Sequence, residues 1–337
     1  MNSLIQTIMI ELNNSCNLNC SMCMIEKRNT PFMNVKLFKK ILLQWMESEI
    51  CFDLFMPFFR GEPLLHPQFV DFIGLFSEYN KDFRLAKSIA FDTNANLLTE
   101  DISDFILLNG QFSTITFSID SINASTYKKI RIGGDPDKVK NNITTFLELR
   151  NKYGLRFPVV RLQFIVMKKN IDEAEEFIRF WKDIYRELDH DLEIKFEYDD
   201  NPGDNDCIFF RPCLAKEQDK ERILRNLYDQ LYRKLTDKPV KIEKNSSICC
   251  GPFTHTVITS DGLVIPCCVD NSDRLTVGDL KKTPLISILE GERLKHIRKL
   301  HLSGNSSKID VCRDCPGQFF PVIDDVVLKE LKDKYDK

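Results

Sequence analysis

Three cysteines near the amino end constrain this chain more than any other feature. They stand in Cys16-Asn17-Leu18-Asn19-Cys20-Ser21-Met22-Cys23, after a short apolar run that ends in Glu11-Leu12-Asn13-Asn14-Ser15, and no fourth cysteine follows within reach of the same loop. Iron–sulfur clusters are held by cysteine thiolates, usually four of them. A four-iron cluster on three protein ligands keeps one iron open for chemistry.

The cysteine count supports a metal reading. Eleven of the twelve fall into three neighbourhoods: Cys16, Cys20 and Cys23; Cys207 and Cys213; and Cys249, Cys250, Cys267, Cys268, Cys312 and Cys315. Cys51 stands apart in an apolar run and reads as a small buried hydrophobe. The expected location is cytoplasmic, because the amino end has no basic residue before its apolar stretch and no small-residue cleavage site. In reducing cytosol, clustered cysteines are metal sites rather than disulfides. A net charge of −3 gives no reason to expect nucleic acid or an anionic membrane as partner. No apolar run approaches the ~20 residues of a membrane span.

At 337 residues the chain exceeds the usual single-domain range, which predicts one large domain with a smaller appendage. Up to about residue 198, short apolar runs alternate with longer amphipathic ones, the signature of repeated strand–helix units and a parallel sheet. Six strands are expected, near 6–12, 51–57, 86–92, 112–119, 159–167 and 192–198, with helices over 35–48, 67–78, 99–108, 138–152 and 171–188. Asn170 is expected to cap the last of these. Asp199-Asp200-Asn201-Pro202-Gly203-Asp204 reads as a loop, placing a domain boundary near 200. The expected domains are a barrel over 1–200, a linker with a charged helix over 201–247, a Cys-rich module over 248–320 and a tail helix over 321–337.

Ligands of such α/β folds gather beyond the carboxyl ends of the strands. Those positions hold Phe58-Phe59-Arg60-Gly61-Glu62-Pro63 after the second strand, Asp92-Thr93-Asn94 after the third, and Phe117-Ser118-Ile119-Asp120-Ser121 after the fourth, with Arg131 beyond the next helix and Gln163 on the fifth strand. In the last module, Thr254 to Thr259 leads through Ser260-Asp261-Gly262 into Leu263-Val264-Ile265-Pro266-Cys267-Cys268, a hairpin with thiols at both ends. A helix from about 285 to 300 and Val311-Cys312-Arg313-Asp314-Cys315 follow. Cys249, Cys267, Cys312 and Cys315 make a four-thiolate set that suits zinc or an iron–sulfur cluster.

The spacing CxxxCxxC resembles the cluster loop of the radical S-adenosylmethionine (radical SAM) enzymes, and the residues after the later strands extend the resemblance. It implies an α/β fold, a partial (β/α)6 TIM-like barrel with the cluster loop after its first strand, followed by a small Cys-rich domain of twitch/SPASM type with a β-hairpin and helix. In that reading Cys16, Cys20 and Cys23 hold a [4Fe–4S] cluster whose open iron chelates S-adenosylmethionine (SAM), and Met22 packs on the adenine. Glu62 receives the methionyl amino group, although Arg60 stands where the family usually has a glycine. Asn94, Ser118, Asp120, Arg131 and Gln163 are the other cofactor-facing residues. Cys249, Cys267, Cys312 and Cys315 hold one auxiliary [4Fe–4S] cluster, with Cys250 and Cys268 leaving each doublet open by one residue.

The resemblance implies reductive cleavage of SAM to a 5′-deoxyadenosyl radical, with electrons from a partner such as flavodoxin or ferredoxin. The substrate is then a small molecule or a peptide; with no peptide-binding leader domain recognised at the amino end, a sugar or cyclitol is preferred, oxidised through the auxiliary cluster. The alternatives are peptide modification, or redox-neutral epimerisation with Cys213, Cys250 or Cys268 as hydrogen donor. From another class, a non-catalytic iron–sulfur or zinc protein for electron transfer or binding predicts no SAM cleavage.

Overall fold

The structure is a computed structural model that describes residues 6–25, 32–197, 204–214, 218–240, 248–313, 315, 323 and 325–335. Strand and helix alternate from the start: β1 (Thr7–Ile10), α1 (Val35–Glu47), β2 (Phe52–Met56), α2 (Phe69–Phe83), β3 (Ala86–Thr93), α3 (Glu100–Asn109) and β4 (Phe112–Ser118). There follow α4 (Ala124–Ile130), α5 (Pro136–Lys152), β5 (Val159–Val166), α6 (Ala174–Glu187), β6 (Glu193–Phe196), β7 (Cys207–Pro212) and α7 (Gln218–Thr236). The last part holds α8 (Gly251–Thr254), β8 (His255–Ile258), β9 (Leu263–Ile265), β10 (Gly278–Asp279), α9 (Leu285–Leu289), α10 (Glu292–Leu302), α11 (Asp310–Arg313) and α12 (Asp325–Tyr335).

The helices start where side chains satisfy the free N–H groups of a first turn. Asn34 accepts from Leu37 N at α1, Thr99 from Ile102 N at α3, Asn123 from Ser125 N at α4, and Asp135 from Asp137 N at α5, where Pro136 takes the first position. Along α1, Phe38, Ile41, Leu42 and Trp45 recur at helical spacing and are fully buried. Trp45 meets the rings of Phe52, Phe55 and Phe76, so truncating it to alanine would cost about 3–5 kcal/mol.

The chain divides into two units. The first comprises Met1–Ser15, Ile25–Ile89 and Glu243–Lys337, the second Cys16–Met24 and Ala90–Ile242. In the first, the strands run in the order β10-β9-β8-β1-β2-β3. The expected hairpin is present, with Val257 opposite Ile265 across β8 and β9. The structure adds a pairing the local pattern does not reveal: β8 lies parallel to β1, Thr7 opposite His255 and Ile10 opposite Ile258. The carboxy-terminal module is thereby built onto the first strand. The helix expected over 285–300 is two, broken at Gly291, which begins α10 with an extended backbone.

In the second unit the order is β4-β5-β7-β6. This departs from the linker expected over 201–247, since β7 inserts between β5 and β6 and pairs parallel with both. Asp206, just ahead of β7, secures the insertion by accepting from Val160 N (2.8 Å), Tyr185 Oη (2.8 Å) and the Arg150 guanidinium. Phe210 of β7 then packs on Phe164 and Phe196, and Tyr228 of α7 donates to Phe210 O. Residues 198–203, 215–217, 241–247 and 316–322, on which parts of the expected loop, linker and tail fall, lie outside the described residues.

Candidate radical SAM and auxiliary-cluster sites

The cysteine loop belongs to the second unit and is clipped there by backbone bonds: Asn19 N donates to Ile132 O and Ser21 N to Ile130 O, both at 2.8 Å. Gly133 makes the approach possible; its φ of +95° favours glycine, and a Cβ would stand 3.3 Å from Asn17 O. Within the loop Leu18 N donates to Cys16 Sγ at 3.4 Å. Cys16 and Cys20 are half-buried and Cys23 is exposed.

Two of the expected cofactor-facing residues touch this loop. Asn94 donates from Nδ2 to Asn17 Oδ1 at 2.9 Å and lies 3.9 Å from Cys16 Sγ, while its Oδ1 accepts from Asn96 N. Arg131 is bound to Asp120 at 2.7 Å and brings Nη1 to 3.8 Å from Cys20 Sγ. Burial pushes the Cys20 thiol up, and the nearby guanidinium opposes that shift only in part. Asp120 is fully buried with φ +67° and accepts also from Ile165 N at 2.7 Å. Burial raises its carboxyl pKa while Arg131 works against the rise. Asn170 stands at the N-cap position of the turn Ile171–Glu173 that leads into α6, but its side chain makes no capping bond there: it accepts from Met167 N and donates to Asp120 O and Ile165 O, supporting the aspartate from behind.

Met22 packs against Ile130, Met167 and Cys213. Cys213 is therefore an apolar neighbour of the loop, 6% exposed. Gln163 donates to Ser118 Oγ at 3.2 Å. Cys51, expected inside, is exposed because it precedes β2 rather than lying in it.

Glu62 lies in the first unit. Its N–H donates to Ser15 O (2.8 Å), its carbonyl accepts from Asn13 Nδ2 (3.1 Å), and Oε1 caps the turn at Leu64 N (3.1 Å). Gly61 is required here: at φ +78° a Cβ would fall 2.4 Å from Ser15 O. Sequence reasoning missed what surrounds this turn. Asn13 Oδ1 and both amide atoms of Asn14 are buried without hydrogen-bond partners. Such orphaned atoms fit a polar ligand, because buried amides left unpaired are costly. Their only signal in the sequence is a pair of amides beside the cysteine loop.

Arg60 is not a loose replacement for glycine. It is 1% exposed and bonds Glu11 through Nε (2.5 Å) and Nη2 (3.1 Å), while Nη1 reaches Asp273 Oδ1 (3.0 Å) and Asn271 O (3.1 Å). Glu11 accepts also from Ser260 N. Residues after β1, after β2 and from the carboxy-terminal module thus share one buried ion cluster.

In that module Cys249 Sγ accepts from Gly251 N (3.4 Å) and Cys267 Sγ from Val269 N (3.3 Å). Cys312 Sγ lies 3.6 Å from His301 Nε2, and Cys315 N donates to Cys312 O. Burial pushes the Cys249 thiol to about 12, with Cys250, Cys315 and Cys312 adding to the rise, and Cys312 to about 11, with Cys315 adding. Burial also raises the Cys267 thiol well above its ordinary value, with Cys268, Cys249 and Cys315 adding to the rise. Cys249, Cys267, Cys312 and Cys315 therefore share one neighbourhood with Cys250 and Cys268. Cys250 packs with Ile248, Phe253 and Leu302, while Cys267 belongs to the cluster of Met9, Phe59 and Val257 that Cys268 and Cys312 both border. Among the described residues, no three His, Cys, Asp or Glu side chains are spaced to hold a single metal ion.

In the second unit, a backbone N–H aimed at Cys16 Sγ and a guanidinium near Cys20 Sγ fit an iron–sulfur cluster. In the first unit, the N–H donors to Cys249 and Cys267 fit a cluster as well, and the orphaned amides of Asn13 and Asn14 fit a polar ligand. Residues 10–180 match the Radical SAM superfamily and residues 249–316 match the SPASM iron–sulfur cluster-binding domain. The chain belongs to the radical SAM superfamily and carries a carboxy-terminal SPASM-type domain. Its cofactors are accordingly SAM, a [4Fe–4S] cluster and an auxiliary iron–sulfur cluster.

The chain is 25% identical over 309 residues to a probable GTP 3′,8-cyclase of Methanocaldococcus jannaschii, covering 86% of this chain and 92% of that protein. It is 29% identical over 194 residues to a GTP 3′,8-cyclase of Listeria monocytogenes, covering 56% of this chain and 52% of the relative. Among solved structures, anSMEcpe with bound AdoMet superposes with a TM-score of 0.60 at 17% identity, covering 98% of this chain and 92% of that one. BtrN in complex with AdoMet and 2-DOIA gives 0.53 at 18% identity, with 94% of each chain covered. These likenesses show the fold, an α/β parallel-sheet architecture of the partial-barrel type. No helix among the described residues is long and apolar enough to cross a membrane.

Proposed function

We propose that this chain oxidises a small polar substrate, a sugar or cyclitol, by SAM-dependent radical chemistry with its auxiliary cluster as electron acceptor. The observation that carries the substrate class is the alternation of the strands in the second unit. Phe117, Phe164 and Phe196 turn toward α5, α6 and α7, where they meet Phe146, Phe177 and Tyr228. Period-two alternation puts Thr116, Ser118 and Gln163 on the opposite face, which is therefore polar.

When bound, the reduced cluster and SAM supply a 5′-deoxyadenosyl radical that removes hydrogen from an unactivated C–H bond. Cys16, Cys20 and Cys23 hold that cluster. In the second unit, Asn94 and Arg131, the latter fixed in place by Asp120, would bind and orient SAM, with Met22 as an apolar contact. By family resemblance Glu62 would receive the methionyl amino group. Cys249, Cys267, Cys312 and Cys315 would hold the auxiliary cluster, and the backbone N–H donors at Cys249 and Cys267 favour the thiolate form of those two.

A second reading, cyclisation of a nucleotide, is favoured by the names of the relatives. Stimulation of 5′-deoxyadenosine formation separates the two. The proposal expects sugars or cyclitols to raise turnover and yield an oxidised product; conversion of GTP to a cyclised product, with no response to sugars, would favour the second reading. Turnover in D2O completes the test, since solvent deuterium at the reacting carbon would mark a thiol donor and epimerisation.

A further inference from the structure

Two arginines on the polar face of the second unit have guanidinium donors that no close acceptor meets. Arg161 on β5 and Arg211 on β7 lie on that face, two positions from Gln163 and Phe209 respectively. Lys195, on the same side, is satisfied by Glu193 at 2.8 Å. Arg211 is held loosely, with Nη2 3.4 Å from Glu197 and Nη1 3.5 Å from Gln163 Oε1, and its side chain is 38% exposed. The Nε of Arg161 is buried without a hydrogen-bond partner. The nearby acid is Asp92, which feels both guanidiniums; it is hydrogen-bonded by Thr116, and burial raises its carboxyl pKa.

Buried guanidinium donors are retained where an anionic oxygen meets them, and the planar fork of arginine matches phosphate and carboxylate alike. Phe209, whose ring lies 5.8 Å from the Arg211 guanidinium, adds a surface for the uncharged part of a ligand. We propose that Arg161 and Arg211 bind an anionic group, phosphate or carboxylate, carried by the substrate. The polar molecule proposed above is on this account an ester or an acid rather than a neutral sugar.

The inference rests on the radical SAM reading of this face, and the test keeps the two apart. Reconstituted holoenzyme with saturating SAM, whose own carboxylate is then accommodated, is dialysed to equilibrium against radiolabelled pyrophosphate in one arm and radiolabelled succinate in the other, at fixed ionic strength. Saturable binding of one anion per chain is expected, weakened at least tenfold by Arg161→Gln and by Arg211→Gln, and unchanged by Lys87→Gln at an exposed surface pair. The tighter arm identifies phosphate or carboxylate. Arg211→Gln keeps the test decisive if the Arg161 variant fails to fold. Absence of binding in both arms, or an Arg211→Gln affinity within twofold of the parent, overturns the inference. 5′-Deoxyadenosine measured on the same samples reports separately on the radical SAM reading.

Discussion

Replacing Arg60 with alanine tests whether the ion cluster at the family's glycine position holds the first unit together. Arg60 and Glu11 both have fully buried side chains, joined through two nitrogens and two oxygens, and Arg60 also holds Asp273. An exposed pair is worth about 0.2–1 kcal/mol. Removing one member of a buried pair costs about 3–5 kcal/mol because the other charge is stranded in low dielectric. Set against a total stability of about 5–15 kcal/mol, that is a large fraction. For a unit of 150–250 residues it corresponds to a fall in Tm of about 6–20 °C, at about 2–4 °C per kcal/mol. The assay is anaerobic urea and thermal unfolding followed by circular dichroism. Adding Glu11→Gln to Arg60→Ala removes the stranded charge and should recover part of the loss. A single-variant loss below about 1 kcal/mol, or no recovery in the double variant, would refute the reasoning.

Gly61→Ala forces a Cβ into the space of Ser15 O at a left-handed φ, so it should cost at least about 1–2 kcal/mol and weaken SAM binding, read by equilibrium dialysis. Cys249→Ala and Cys267→Ala should each remove about four irons per chain, whereas Cys250→Ala and Cys268→Ala should leave iron content unchanged; the reverse pattern would exchange the members of each doublet. Asp120→Ala strands Arg131 and should destabilise the protein by about 3–5 kcal/mol in urea unfolding, with reduced SAM affinity.

Much of the fold is written in local pattern. The alternation that places β1 to β6, the cap at Thr99 and the Asp261-Gly262 turn of the hairpin all act over a few residues, so their signals are continuous in the chain. What local pattern does not record is which edge a strand joins. β7 reads as part of a linker until Asp206 ties it to Arg150, Val160 and Tyr185, three residues 21 to 56 positions away. The parallel pairing of β8 with β1 is likewise a contact across most of the chain.

The candidate site shows the same division. Cys16, Cys20, Cys23 and Asn94 announce themselves by spacing and by their place after a strand, and the structure brings Asn94 and Arg131 to the loop. Arg60 stood out only as a departure from glycine, and its partner Asp273 lies 213 residues away. The orphaned amides of Asn13 and Asn14 have no sequence signature beyond their proximity to Cys16.

The central claim is that this chain holds two iron–sulfur clusters and cleaves SAM at the one on Cys16, Cys20 and Cys23. It is tested most directly by anaerobic reconstitution followed by reduction with dithionite in the presence of SAM, with iron and 5′-deoxyadenosine measured on the same sample. The account predicts about eight irons per chain, four for each cluster, and formation of 5′-deoxyadenosine that is abolished by Cys20→Ala. Fewer than about four irons per chain with no 5′-deoxyadenosine would contradict it.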